Sequence, residues 1–205
     1  MEKPAETRAP INELISRRWS PRAFAPTPVE PEKLRRVLEA ARWAASSYNE
    51  QPWRYLIATQ DDPGHYETML SCLLEMNQSW ARQAPVLLIS FAKRHFTRSG
   101  ADNRVALHDV GAASTTLALE ALELGLFVHQ MGGIDHNKIV QVYGVPEEFV
   151  PVAALALGYP GDAETLPEKW RDAEHAPRSR KPLEELIFAR GWEQTAPLVA
   201  EEMPQ

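Results

Sequence analysis

Two short stretches limit the fold more than any others. "PVLLISFA", residues 85–92, and "VPVAALALGY", residues 150–159, are continuous apolar runs without polar alternation. A strand with one face in water alternates polar and apolar residues, so these two read as strands buried on both faces. Their sheet must therefore be covered by helices. The clearest candidate is a helix from about Pro31 to Ala45. It carries Leu34, Val37, Leu38, Ala41 and Ala45 at helical spacing, with Glu32, Arg35, Arg36 and Glu39 outward. "INELISRR" is a short helix with Pro10 in its first turn. His65–Trp80 reads as helix, as does a long segment from Arg104 to Leu124 capped by Gly125. Asp135 starts a short helix ending at Gly144, and "LEELIFARG", residues 183–191, reads as a last short helix. "WRYLIATQ" and "LFVHQM" supply two more strands. Helices and strands do not alternate strictly, so the fold class is α+β, a central sheet flanked by helices. One domain over residues 1–205 is expected, with 160–205 an extended, polar C-terminal segment.

Charge and composition exclude several functions. The formal net charge is −6, which argues against nucleic acid as a partner. The single cysteine, Cys72, cannot form an internal disulfide. No apolar run reaches the roughly 20 residues of a membrane span, and the charged start "MEKPAETRAP" lacks the apolar core of a signal peptide. The expectation is a cytoplasmic protein without a membrane partner. Dinucleotide, P-loop and nucleophile-elbow motifs are missing, as are metal-ligand spacings. His129, Asp135 and His136 are read as ordinary positions, and no metal site is expected.

Three polar stretches stand apart from this framework: "RRWSPRAF" at 17–24, "SSYNEQPW" at 46–53 and "PRSRKPLEE" at 177–185. Each has a plain alternative: a solvated helix end, a helix C-cap with its turn, or a basic tail. Together they suit one ligand. Arg18, Ser20, Arg178 and Arg180 supply forked donors and a hydroxyl for a phosphate. Asn49 has an amide donor and a carbonyl acceptor that can read the edge of a heterocycle.

With "MGGID" after a strand, the long helix "LHDVGAASTTLALEALELGL" and "ALGYP", nearly the whole chain resembles the flavin-dependent nitroreductase family. That resemblance implies an intertwined homodimer with FMN at the subunit interface. By position it implies FMN contacts from Arg18, Trp19, Ser20 and Arg22, with Arg18 and Ser20 toward the phosphate and Arg22 toward the pyrimidine edge. It likewise implies that Ser46, Ser47 and Asn49 form the cofactor floor, that Gly132 and Gly133 bring backbone to flavin N5, and that Arg178 and Arg180 return to the phosphate. Trp19 stands where a smaller side chain is usual, and Ala45 where proline is usual. The implied activity is hydride transfer from NADH or NADPH, through flavin N5, to a nitroaromatic, quinone or similar electron-poor acceptor. The chemistry belongs to the flavin, so no catalytic side chain is expected. The alternatives are the same fold with flavin-cleaving or dehalogenating chemistry, or a flavin-binding module without turnover.

Overall fold

The computed structural model describes residues 2–200 and places both apolar runs at the centre of a four-stranded antiparallel sheet. Its strands are β1 (Trp53–Thr59), β2 (Val86–Lys93), β3 (Phe127–Met131) and β4 (Phe149–Gly158), in the order β1-β2-β4-β3. β2 and β4 are the inner pair, as their lack of alternation requires. Leu88 pairs with both Ile57 and Leu155, and Leu157 with Val128. The register of β2 on β4 shifts between Ser90 and Phe91, opposite Pro151. Proline cannot donate to the ladder, and a bulge absorbs the missing bond in a central strand.

The strand period divides β2 between two cores. Leu87, Ile89 and Phe91 face one; Val86, Leu88 and Ala92 face the other. The second core is closed by α2 (Pro31–Arg42) and α5 (Ala106–Glu123), through Val37, Ala41, Val110 and Leu117. Pro31 opens α2, and Gly125, at φ +76°, ends α5. The first core is closed by α3 (Pro63–Leu70), α4 (Glu75–Ala81) and α6 (His136–Tyr143), through Met69, Leu70, Trp80 and Ile139. α6 starts at the Asp135 cap and ends at Gly144, φ +59°, as its sequence indicates.

Four boundaries differ from the sequence reading. The helix expected over His65–Trp80 is broken at 71–74. There the backbone docks on the segment after β3: Leu74 N donates to Gly133 O at 3.0 Å, and Asp135 N to Cys72 O at 2.8 Å. Helical periodicity persists across the break because both halves face the same core. α1 (Glu13–Arg17) is a single turn capped by Asn12, whose Oδ1 accepts from Leu14 N at 2.9 Å, so Pro10 lies outside it. α2 stops at Arg42, leaving Ala45 exposed beyond its stripe. In the C-terminal segment the expected helix at "LEELIFARG" is one 3₁₀ turn, Leu183–Glu185, and Phe188 bridges back to Thr195. The helices of this segment are α7 (Glu168–His175) and α8 (Pro197–Ala200). α7 escaped the sequence reading because its inward positions are Trp170 and Glu174, a pattern without an apolar stripe.

Beyond α7 the chain exposes Leu183, Leu186, Ile187, Trp192 and Leu198, the last two at 83% and 77%. No helix among the described residues is long and apolar enough to cross a membrane.

Candidate functional site

Arg18 lies at the end of α1, where the chain leaves the helix in an extended conformation, and its Nη1 is 3.5 Å from Ser20 Oγ. "RRWSPRAF" then runs along the edge strand β3. Trp19 is buried edge-on to Phe127, with centroids 6.2 Å apart, and Pro21 O lies 2.9 Å from His129 Nδ1. From the far end of the sequence, Arg178 reaches the same place. Its Nη1 donates to Lys3 O at 2.7 Å and Ser16 O at 2.6 Å. Burial lowers the pKa of Arg18, and the nearby guanidiniums of Arg178 and Arg180 lower it further. Arg178 is lowered in the same way, by burial and then by Arg180. Among the described residues, none of these three arginines has an ion-pair partner. Three like charges held together without a carboxylate ion pair favour an anion between them. An open groove of about 620 Å³ lies over Arg18, Arg178 and Arg180, with Glu6 and Ile15 also on its wall. Two donors of the neighbouring loop, Trp19 Nε1 and Arg22 Nε, are buried with no hydrogen-bond partner among the described residues. This donor-rich chemistry fits a phosphorylated ligand rich in acceptors.

The other predicted cluster has a different construction. After α2 the chain makes a 3₁₀ turn at Ser47–Asn49 in which Tyr48, Asn49 and Gln51 have φ of 51°, 55° and 51°. The left-handed region costs a non-glycine residue roughly 1–2 kcal/mol, least for asparagine. Surrounding bonds hold the turn there. Ser47 N donates to the buried Asp109 carboxylate of α5 at 3.0 Å, and Gln51 N to Ser46 Oγ at 3.0 Å. The Glu50 carboxylate accepts from Thr97 N, at 2.9 and 3.0 Å, and lies 3.6 Å from Lys93 Nζ. Asn49 is exposed, and among the described residues its side-chain amide has no hydrogen-bond partner.

One chain does not bring these clusters together. The clamp packs beside β3 and the turn leads into β1, the two outer strands of the sheet. Three strand spacings, roughly 14 Å, separate them. They also belong to different cores: Ala23 and Phe24 to the first, Trp53 to the second. Gly132 and Gly133 follow β3 at its far end. Gly132 is open to solvent, whereas a Cβ on Gly133 would meet Asn77 Nδ2 at 2.5 Å. Gly133 O also accepts from Asn77 Nδ2 at 3.0 Å, so local packing already accounts for that glycine. Arg22 faces inward: its guanidinium lies 4.8 Å from the Trp170 ring and 6.0 Å from Trp80.

Several neighbours of these clusters carried no motif. Tyr48 is 93% exposed and stands edge-on to Phe96, centroids 5.8 Å apart, beside Asn49. Lys3 lies 4.7 Å from the Trp19 ring and donates to Glu174 O at 2.6 Å. The His129 ring lies 4.5 Å from that of Trp80, tilted by 39°. Burial and the Arg22 charge depress its pKa to about 4 against the opposing hydrogen bond to Pro21, so the imidazole is neutral at pH 7. The sequence signal for Lys3 and Glu174 is weak, since each lies outside a motif and meets the clamp only in three dimensions.

Known proteins supply a further set of findings. The Nitroreductase family model matches residues 15–73 and 60–159. A solved structure described as an oxidoreductase containing FMN is similar with a TM-score of 0.87 and 35% identity, over 93% of this chain and 96% of that one. An NADH dehydrogenase of Thermus thermophilus is 27% identical over 207 residues, 85% of this chain and 93% of the relative. An FMN reductase [NAD(P)H] of Bacillus subtilis is 27% identical over 158 residues, 69% of this chain and 62% of the relative.

Proposed function

The chain belongs to the nitroreductase family, and from that premise we propose that it is an FMN-dependent NAD(P)H oxidoreductase acting as a homodimer. The observation that carries the reading is the division of donors between the two edges of the sheet. A basic clamp without ion-pair partners among the described residues stands at β3, and a strained turn with a free amide stands at β1. A two-fold pair of chains can set the clamp of one against the turn of the other, giving two equivalent sites. The exposed apolar groups beyond α7 support the same arrangement, since Leu186, Ile187 and Trp192 need a surface to cover them.

On this reading Arg18, Ser20, Arg178 and Arg180 hold the FMN phosphate. Ser46, Ser47 and Asn49, from the partner in the assembly, take the ring end, with Asn49 pairing to the pyrimidine edge. Trp19 and Arg22 contribute through the loop they build, and Gly132–Gly133 offer backbone at the mouth of β3. Bound FMN would supply two-electron exchange between a reduced nicotinamide and an electron-poor acceptor such as a nitroaromatic or quinone. The chain's part is to bind, orient and exclude water. Identification of the flavin released on heating, followed by anaerobic titration with NADH and NADPH, tests the reading. FMN reducible by a nicotinamide is expected. FAD alone, or a flavin that neither nicotinamide reduces, would overturn it.

A further inference from the structure

One carboxylate stands among the cations of the clamp. Glu174, on α7, is 2% exposed. Its Oε1 accepts from Arg22 N at 3.0 Å and Ala23 N at 3.1 Å, and its Oε2 accepts from Arg22 N at 2.9 Å. Its backbone carbonyl accepts from Lys3 Nζ. Among the described residues no side-chain cation pairs with that carboxylate. Lys3, Arg18, Arg22, Arg178 and Arg180 surround the region, yet the acid is held by backbone amides 152 and 151 residues away in sequence. A buried carboxylate without such amides would be costly, so its placement fixes the two chain segments relative to each other.

Both segments are halves of the clamp. Arg22 and Ala23 end the loop that begins with Arg18 and Ser20. Four residues beyond Glu174 the chain presents Arg178, and six beyond, Arg180. α7 ends at His175, so the path from Glu174 to Arg178 is short and has few ways to adjust.

We propose that Glu174 is a positioning residue that latches the two halves of a phosphate-binding clamp in register, and so sets the preference for a phosphorylated flavin over its dephosphorylated form. The proposal rests on the cofactor reading above. Charge and position predict opposite signs for the loss of this carboxylate. If Glu174 acted only through its charge, removing that charge would leave the clamp more positive and strengthen phosphate binding. If it acts by position, removing it weakens phosphate binding despite the gain in positive charge. In Glu174→Gln one oxygen remains to accept from both amides, but the NH₂ group that replaces the other faces Arg22 N–H, and the latch is weakened.

The test compares dissociation constants of FMN and riboflavin for the full-length apo-protein, by flavin fluorescence quenching. The wild type is expected to prefer FMN strongly. Glu174→Gln is expected to lose about 10- to 100-fold in FMN affinity, the scale on which groups that orient metal ligands affect metal affinity, with riboflavin affinity nearly unchanged. Glu174→Asp keeps the charge and withdraws it by one methylene, so it should show the same selective loss, and it serves alone if the Gln variant does not fold. Equal or tighter FMN binding in the folded variant overturns the latch, and so does a parallel loss of FMN and riboflavin. A wild type without preference for FMN removes the phosphate clamp itself and the cofactor reading with it. That failure is thereby distinct from failure of the latch in a wild type that does prefer FMN.

Discussion

The clamp at β3 and the turn at β1 solve the same problem in opposite ways. On the proposed function, both hold polar groups ready for a ligand that one chain alone does not enclose. The clamp uses charge: three guanidiniums are brought together against their own repulsion, with Arg178 set by the carbonyls of Lys3 and Ser16 and the loop after Arg18 bonded to Glu174. The turn uses backbone: three consecutive or near-consecutive left-handed residues are fixed by Asp109, Ser46 Oγ and the Glu50–Thr97 bonds, while the Asn49 side chain is left free. Like charges relax when the ligand's negative charge arrives; a strained backbone relaxes only if the turn unfolds. The clamp should therefore dominate affinity and respond to salt, and the turn should dominate selectivity for the ring.

Acid separates the two regions most strongly. His129 anchors the clamp loop through Pro21, and its folded pKa of about 4 lies below the ordinary histidine value of about 6.5. Between those values the unfolded chain binds a proton that the folded chain refuses. Stability therefore rises with pH across that window, and on acidification it is lost from about pH 6.5 down to about 4, by on the order of 3 kcal/mol. At the turn, the hydrogen bond from Thr97 is the main cause of a lowered Glu50 pKa, with Lys93 adding to it. That contribution is present above the ordinary carboxyl value, about 4.3, and is lost only as pH falls through the lower folded value. Denaturant melts from pH 7 to 3 should thus show an early loss that His129→Gln abolishes and a later one that Glu50→Gln abolishes. A single window for both would break the comparison.

Next in size is the phosphate. Arg180→Ala should lower FMN affinity about 10- to 100-fold, the equivalent of roughly 1.5–3 kcal/mol for a charge-assisted contact, with the loss shrinking in high salt. Arg190→Ala, outside the clamp, should change it less than about twofold. Equal small effects would return "PRSRKP" to a solvated tail. Asn49→Leu should follow, with about 5- to 30-fold weaker FMN binding from roughly 1–2 kcal/mol of unsatisfied polar atoms, and an apo-protein melting temperature close to wild type. A destabilised apo-protein with unchanged affinity would make this turn only a turn. The smallest effect is at Gln51, φ 51°. Gln51→Gly should stabilise the fold by up to about 1 kcal/mol, or roughly 2–4 °C in melting temperature, because glycine occupies the left-handed region freely.

Much of this was legible from residues. The two apolar runs gave the inner strands because burial on both faces leaves no alternation, and Pro31, Gly125, Asp135 and Gly144 marked helix ends through their own backbone preferences. Periodicity could not see the break at 71–74, since its cause is pairing with residues 133–135, nor could it see α7, whose inward residues include the acid Glu174. Arg18, Arg178 and Arg180 were grouped from their chemistry, and the structure places them side by side. That the Ser46–Asn49 turn stands at the other edge of the sheet was not legible, because strand order is not written in any local motif.

The central claim is that each site is completed by two chains, and subunit mixing tests it most directly. One variant, Arg18→Ala with Arg180→Ala, lacks the clamp; the other, Asn49→Leu, lacks the turn. Each homodimer should bind FMN weakly. After the two are mixed one to one and exchanged, about half the dimers are mixed, and each of those has one site built from an intact clamp and an intact turn. Tight FMN binding, measured by fluorescence at a flavin concentration below the dissociation constants of both variants, should return to roughly a quarter of the wild-type sites. No recovery in a sample shown to contain mixed dimers would mean that clamp and turn act within one chain, and the two-chain site would be wrong.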